Sequence, residues 1–312
     1  MALDVRRLDG LLRIHQSGVV ARRQVLELGG VDADIARMLR RHELVQALPG
    51  VYVNHNGPLT LQQREWVAVL ARWPAALARE SALGLAPRGV IHLAVDRDRQ
   101  VGRLPGVEIH RVAGLDRRVD WRTAPPRIRV DDAVIDTMIV RLDADDTAGA
   151  FALLAEACFR RTNAERVARA LAARGRVRHR RLITELVEDR RTGACSVLER
   201  GYLQRVERAH GLPRGERQVR SSASGRSTSR DVTYEEFGLV VELDGSTHFE
   251  SYAARDADAH RDLGELAQAG ALTARVTYGL VFGGQCATAR SIAAILRRLG
   301  WIGELDRCPR CP

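Results

Sequence analysis

Arg230-Asp231-Val232-Thr233-Tyr234 and Leu239-Val240-Val241-Glu242-Leu243-Asp244-Gly245 decide the fold of the C-terminal third of the chain. Both stretches are rich in β-branched and aromatic residues, and Glu235-Glu236-Phe237-Gly238 separates them as a turn, so they predict adjacent strands of a hairpin. Gln218-Val219-Arg220 predicts a strand before them, joined through the Ser-rich turn 221–229. A helix opens at Ser196-Val197-Leu198-Glu199 and runs through Tyr202, Leu203 and Val206 to the loop His210-Gly211-Leu212-Pro213. Acidic residues are depleted from strands, yet Asp231 sits near one end of this hairpin and Glu242 on the returning strand. Carboxylates brought together out of water call for a cation, and hard oxygen ligands favour magnesium or manganese. Gly245-Ser246-Thr247-His248 follows at once and adds an imidazole that titrates near neutral pH. His248 is thus a candidate general base for in-line attack on a phosphodiester.

The ordered set Ser196-Val197-Leu198-Glu199, Gln218-Val219, Arg230-Asp231-Val232, Val241-Glu242-Leu243-Asp244-Gly245, His248, Arg255-Asp256, Arg261-Asp262 and Arg275-Val276-Thr277-Tyr278 resembles Vsr-like domains of the PD-(D/E)XK nuclease superfamily. That resemblance covers residues 190 to 302 and implies a restriction-endonuclease-like mixed sheet flanked by helices. It implies Asp231 and Glu242 as metal ligands, His248 as general base, Glu199 as an accessory acid, and Arg255 and Arg261 as phosphate contacts. Asp244 stands where many of these enzymes carry a lysine, and Vsr-like relatives use histidine instead. Plainer roles compete at several positions. Glu199 has capping-box spacing from Ser196, Asp244-Gly245 is a common turn, and Asp256 and Asp262 have arginine neighbours to pair with. Cys308-Pro309-Arg310-Cys311 carries half of a zinc-knuckle spacing. With no second pair evident, the expectation is an unstructured tail without zinc.

At the other end, residues 4–16 predict a helix with Leu8, Leu11, Leu12 and His15 near one face. Val20 to Leu28 predicts a second helix stopped by Gly29-Gly30, and Asp32 a cap for a third helix through Ile35, Met38 and Leu39. Arg37, Arg40 and Arg41 lie on the outer side of that third helix. Leu44 to Leu48 and Val51 to Val53, joined at Pro49-Gly50, predict a β-hairpin. This segment resembles the winged-helix domain of AbiEi-type antitoxins of type IV toxin–antitoxin systems. The resemblance implies DNA as partner, Arg37, Arg40 and Arg41 as its contacts, and a cognate toxin that the sequence does not identify. Use of the same fold for protein contacts is the competing reading.

Between the two ends, Trp66, Val69, Leu70 and Trp73 predict a buried helix face ended by Pro74, with both tryptophans in the core. Residues 90–95 and 107–112 predict strands on which His92 and His110 alternate with apolar residues, as satisfied structural histidines do. Arg127 to Asp136 resembles the region that follows the winged helix in AbiEi-like proteins. Residues 145–191 predict two or three helices. The run Arg174, Arg176, Arg178, Arg180 and Arg181 serves either a phosphate backbone or a solvated connector.

Composition frames these motifs. A chain of 312 residues that is 45% hydrophobic is long and apolar enough for two or more cored domains. Every one of its 49 basic side chains is arginine, and the net charge of +10 points to a polyanionic partner, DNA first. Five cysteines, widely spaced except for the last pair, exclude a disulfide framework. No signal sequence or membrane-length apolar run occurs, so a cytoplasmic location is expected. The expected fold class is α/β in an α+β multidomain arrangement: a winged helix over 1–57, an α/β and helical middle over 58–190, a nuclease-like domain over 191–303, and a tail over 304–312. The expected function is magnesium- or manganese-dependent DNA cleavage in repair or defence. The alternative is a non-catalytic DNA-binding regulator or antitoxin.

Overall fold

The computed structural model describes residues 2–85, 89–221, 228–245 and 272–311. It is a mixed α/β protein whose described residues form three separate sheets, grouped into two compact units, Met1–Val134 and Ile135–Pro312.

In the first unit, α1 (Val5–Gly10) continues through a wider turn, Leu11–His15. Then come β1 (Val19–Ala21), α2 (Arg22–Glu27), α3 (Asp32–Arg40), β2 (Val45–Leu48) and β3 (Val51–Val53). The hairpin β2–β3 forms as expected, and β1 pairs with its second strand in the order β1-β3-β2. Residues 19–21 are therefore strand, not the start of a helix: Val20 lies opposite Tyr52, and that distant partner decides the local conformation. Leu8, Val20, Val25, Ile35, Met38, Leu44 and Tyr52 bury one core between the helices and this sheet. Each large aliphatic side chain buried there contributes ~1.5–3 kcal/mol. Asp32 does not cap α3. Its carboxylate takes two bonds from Arg22, at 2.7 and 2.6 Å, and Asp34 reaches back to the Val31 N–H at 3.1 Å instead.

The helix α4 (Leu61–Ala71) opens with a capping box: Thr60 Oγ1 accepts from the Gln63 N–H, and Gln63 Oε1 accepts from the Thr60 N–H. It buries Trp66, but Trp73 is 36% exposed, where it meets Trp121 edge-on and carries the Arg23 guanidinium over its ring. Beyond the helix end, Trp73 is no longer bound by the helical period that keeps Trp66 inside. The unit closes with β4 (Ala76–Leu77), α5 (Arg79–Ala82), β5 (Ile91–Asp96), β6 (Val107–Val112), α6 (Leu115–Arg118), β7 (Val119–Asp120) and β8 (Arg127–Ile128). These strands make a sheet of order β6-β5-β4-β8-β7 in which β5 and β6 are parallel. The boundary between the units falls within α7 (Val130–Asp143).

The second unit continues with α8 (Thr147–Arg160), α9 (Ala164–Ala172) and α10 (Arg180–Thr192), followed by α11 (Ser196–Gly201), which extends through a wider turn, Tyr202–Glu207, and a tight 3-10 turn, Arg208–His210. Four strands follow: β9 (Glu216–Ser221), β10 (Thr228–Tyr234), β11 (Leu239–Asp244) and β12 (Leu272–Thr277), in spatial order β12-β11-β10-β9. The first three are antiparallel neighbours, whereas β11 and β12 run parallel. Among the described residues, two more helices follow, α12 (Tyr278–Phe282) and α13 (Gln285–Arg298). In the arginine-rich stretch that leads into α10, three side chains have local partners: Arg174 bonds Asp136 at 2.7 Å, Arg178 bonds Asp143, and Arg180 bonds the carbonyls of Leu171, Arg174 and Gly175. Among the described residues no helix is long and apolar enough to cross a membrane.

Candidate functional site

The sheet of the second unit has two unlike faces. Val232 and Tyr234 on β10, with Leu239, Val241 and Leu243 on β11, point to the apolar face, because residues two apart share a side. Under that face, Tyr202 and Tyr234 share a hydrogen bond of 3.0 Å between hydroxyls, Tyr234 donates to Glu207 Oε2 at 3.3 Å, and Arg217 donates to the same oxygen at 2.8 Å. This buried network ties the extension of α11 to the strands. Burial is the first cause that raises both tyrosine pKa values.

The opposite face carries the acids. Val232 pairs with Val241 in antiparallel register, so one step along Asp231 stands opposite Glu242, on the same side of the sheet. Asp244, two residues on, shares that side. On the parallel neighbour, Arg275 pairs in register with Glu242, and its guanidinium lies 3.6 Å from both Glu242 Oε2 and Asp244 Oδ2. Asp231 Oδ2 accepts the Leu243 N–H at 2.7 Å. Burial raises the Asp231 pKa above the ordinary 3.8, the Leu243 bond opposes that, and the Asp244 charge adds to it.

Cys195 lies at the same end of the sheet. Burial pushes its thiol up to about 11; the Gly245 backbone hydrogen bond opposes this, and the charges of Asp231, Asp189 and Glu199 reinforce it. Asp231 and Glu199 therefore act on one and the same thiol. Glu199 is not part of a Ser196 capping box, because Ser196 is already helical and Cys195 occupies the cap position without a side-chain bond. The Val197 N–H is taken instead by Asp189 Oδ2 at 2.8 Å.

Of the residues singled out from the sequence, Asp231, Glu242 and Asp244 share one face and Glu199 stands near its end. His248, Arg255 and Arg261 lie outside the described residues. Arg37, Arg40 and Arg41 fall on or next to α3, and Arg37 and Arg41 pair with Asp34 and Glu43 at 3.1 and 3.9 Å. The role of Arg275 was not legible from spacing, since its acidic partners sit on another strand.

Among the described residues, two groups of three or more His, Cys, Asp or Glu have ligand atoms within 4.8 Å of one another, and neither includes Asp231, Glu242 or Asp244. His92, Glu108 and His110 form one, in which His92 Nδ1 and His110 Nε2 lie 3.0 Å apart in a ring-to-ring hydrogen bond. Both histidines thus have partners, with Glu80 a further 3.6 Å from His92 Nε2. His210, Cys286, Cys308 and Cys311 form the other. The tail is consequently not loose: the Asp306 N–H donates to the His210 carbonyl at 3.0 Å, and the half-knuckle finds its missing half in residues far away in sequence. No family model and no curated protein matches the chain.

Proposed function

We propose that the protein binds DNA and cleaves its phosphodiester bonds with a divalent metal, magnesium or manganese, held by Asp231 and Glu242. The observation that carries this reading is the antiparallel register of β10 and β11, which pairs Val232 with Val241 and, continued by one residue, sets Asp231 across from Glu242, beside a parallel strand that contributes Arg275. The donor set suits a hard cation: carboxylate oxygens, one of them raised in pKa by burial and by a like charge, which a bound cation would reverse. The metal, when bound, would stabilise charge on the phosphate and lower the pKa of an attacking water.

The chain's own side chains have separate tasks. The Leu243 N–H fixes the rotamer of Asp231. Arg275 offsets the charge of Glu242 and Asp244, and so occupies electrostatically the place of the lysine this sequence does not contain. His248, which follows the acidic strand directly in sequence, is the proposed proton acceptor. In the first unit, the order helix, strand, two helices and hairpin fits a winged helix that presents Arg37, Arg40 and Arg41 to DNA.

A second reading, a non-catalytic regulator or antitoxin, is favoured by the same Arg275, because a guanidinium paired with two carboxylates makes a stable fold without metal. Cleavage of supercoiled and single-stranded DNA by wild type and Asp231→Ala, with magnesium or manganese, separates the two. The nuclease reading expects products from wild type only. Products from both proteins, or from neither, contradict it.

A further inference from the structure

Cys308 and Cys311 stand near the C-terminus with two residues between them, and the fold adds two partners to them. Cys286 Sγ lies 3.6 Å from Cys308 Sγ, Cys308 Sγ 3.7 Å from Cys311 Sγ, and Cys311 Sγ 3.6 Å from His210 Nε2. All four ligand atoms fall within 4.8 Å of one another. These separations are too long for disulfides, whose sulfurs lie ~2.05 Å apart. They match a tetrahedral metal site: with zinc–sulfur bonds of ~2.3 Å and zinc–nitrogen bonds of ~2.0–2.1 Å, neighbouring sulfurs lie ~3.8 Å apart and sulfur and nitrogen ~3.6 Å apart.

We infer that His210, Cys286, Cys308 and Cys311 form a structural zinc site. Beyond the ligand distances, the surroundings prepare each ligand. His210 is buried, and its Nδ1 faces the Val206 carbonyl at 3.1 Å; a carbonyl only accepts, so Nδ1 carries the proton and Nε2 keeps its lone pair for a metal. The Arg310 N–H donates to Cys308 Sγ at 3.4 Å and the Cys311 N–H to the Cys308 carbonyl at 3.0 Å, a tight turn that aims both sulfurs to one side and favours the thiolate. Gly211, at φ +66, lets the chain leave His210 against Asp306; a Cβ there would lie 2.5 Å from Asp306 Oδ2.

Three sulfurs and one imidazole are a borderline-soft set that suits zinc over magnesium or calcium. Four protein ligands leave no open position, so the site is closed and structural. On binding, the three thiols release their protons to solvent and become thiolates, so affinity rises with pH. The site would fasten three segments: the end of the α11 extension through His210, the first turn of α13 through Cys286, and the tail through Cys308 and Cys311. It is independent of the nuclease reading, whose acids lie on β10 and β11.

The test is metal analysis of the full chain, purified without chelator. Zinc equimolar with protein, released when a mercurial blocks the thiols, is the expected result. Cobalt substitution should give the intense visible absorption of tetrahedral thiolate-ligated cobalt. Cys308→Ser with Cys311→Ser should lose the metal, while Cys158→Ser and Cys195→Ser should retain it. Because the tail variants risk misfolding, the wild-type metal content and cobalt spectrum decide. Sub-stoichiometric zinc with freely titrating thiols, disulfides among these cysteines, or another metal in place of zinc would overturn the assignment.

Discussion

The Leu243 N–H donates to Asp231 Oδ2 at 2.7 Å, a bond that holds a carboxylate of one strand against the backbone of the next. Asp231→Asn keeps an acceptor oxygen for that N–H, whereas Asp231→Ala leaves the group without it. The alanine variant is therefore expected to be less stable than the asparagine variant by ~1–3 kcal/mol, measured by urea denaturation. Cleavage should be lost in both. Equal stability of the two would show that the bond contributes nothing.

The pH dependence of that comparison has a defined sign. The folded pKa of Asp231 lies above its ordinary value of 3.8, so the native state holds the proton more tightly than the unfolded chain. Stability from this group is full below the ordinary value and is lost as pH rises through the folded value. Asp231→Asn should thus gain stability relative to metal-free wild type between acidic and neutral pH. A relative loss over that interval would contradict the burial argument.

Arg275 provides a second measurement. Its guanidinium stands 3.6 Å from Glu242 and from Asp244, each carboxylate 19% exposed. Arg275→Ala removes one ion-pair partner from each of these two carboxylates, a cost of ~1–3 kcal/mol once the partial exposure of the arginine is discounted from the full ~3–5 kcal/mol of a buried pair. The destabilisation should be partly reversed by millimolar magnesium. Thermal unfolding with and without magnesium reads both effects.

Gly201 sets two effects against each other. Alanine has a better helical propensity by ~1 kcal/mol. A Cβ at this position would lie 2.4 Å from Phe282 Cζ and 2.9 Å from Val281 Cγ1, and overpacking of this kind costs ~1–3 kcal/mol. Gly201→Ala is expected to destabilise the second unit on balance; a raised melting temperature would show that Phe282 moves aside freely.

The basic side of α3 is tested by salt. Replacing Arg37, Arg40 and Arg41 together by Ala should weaken duplex binding at all sequences and reduce the slope of log affinity against log salt by ~1 for each phosphate that an arginine no longer neutralises. An unchanged slope assigns this helix to protein contacts instead.

Residues 230–234 and 239–244 were legible because alternation, turn chemistry and misplaced acids all act within a few residues. Whatever depended on a distant partner was not. Val19 to Ala21 became strand through β3, Asp32 turned to Arg22, and Trp73 settled against Arg23 and Trp121. The register of Glu242 with Arg275 and the approach of Cys286 and His210 to the tail cysteines arise only when separate segments pack, and no local spacing encodes them.

The central claim is that Asp231 and Glu242 hold a catalytic divalent metal, and single-turnover nicking of supercoiled DNA by wild type, Asp231→Asn and Glu242→Gln over a magnesium series tests it most directly. The prediction is magnesium-dependent nicking by wild type and a fall of at least ~100-fold in each variant, equivalent to ~2.7 kcal/mol, with DNA binding intact. Nicking that survives both substitutions, or wild type that binds DNA yet never cuts it with magnesium or manganese, would contradict the account.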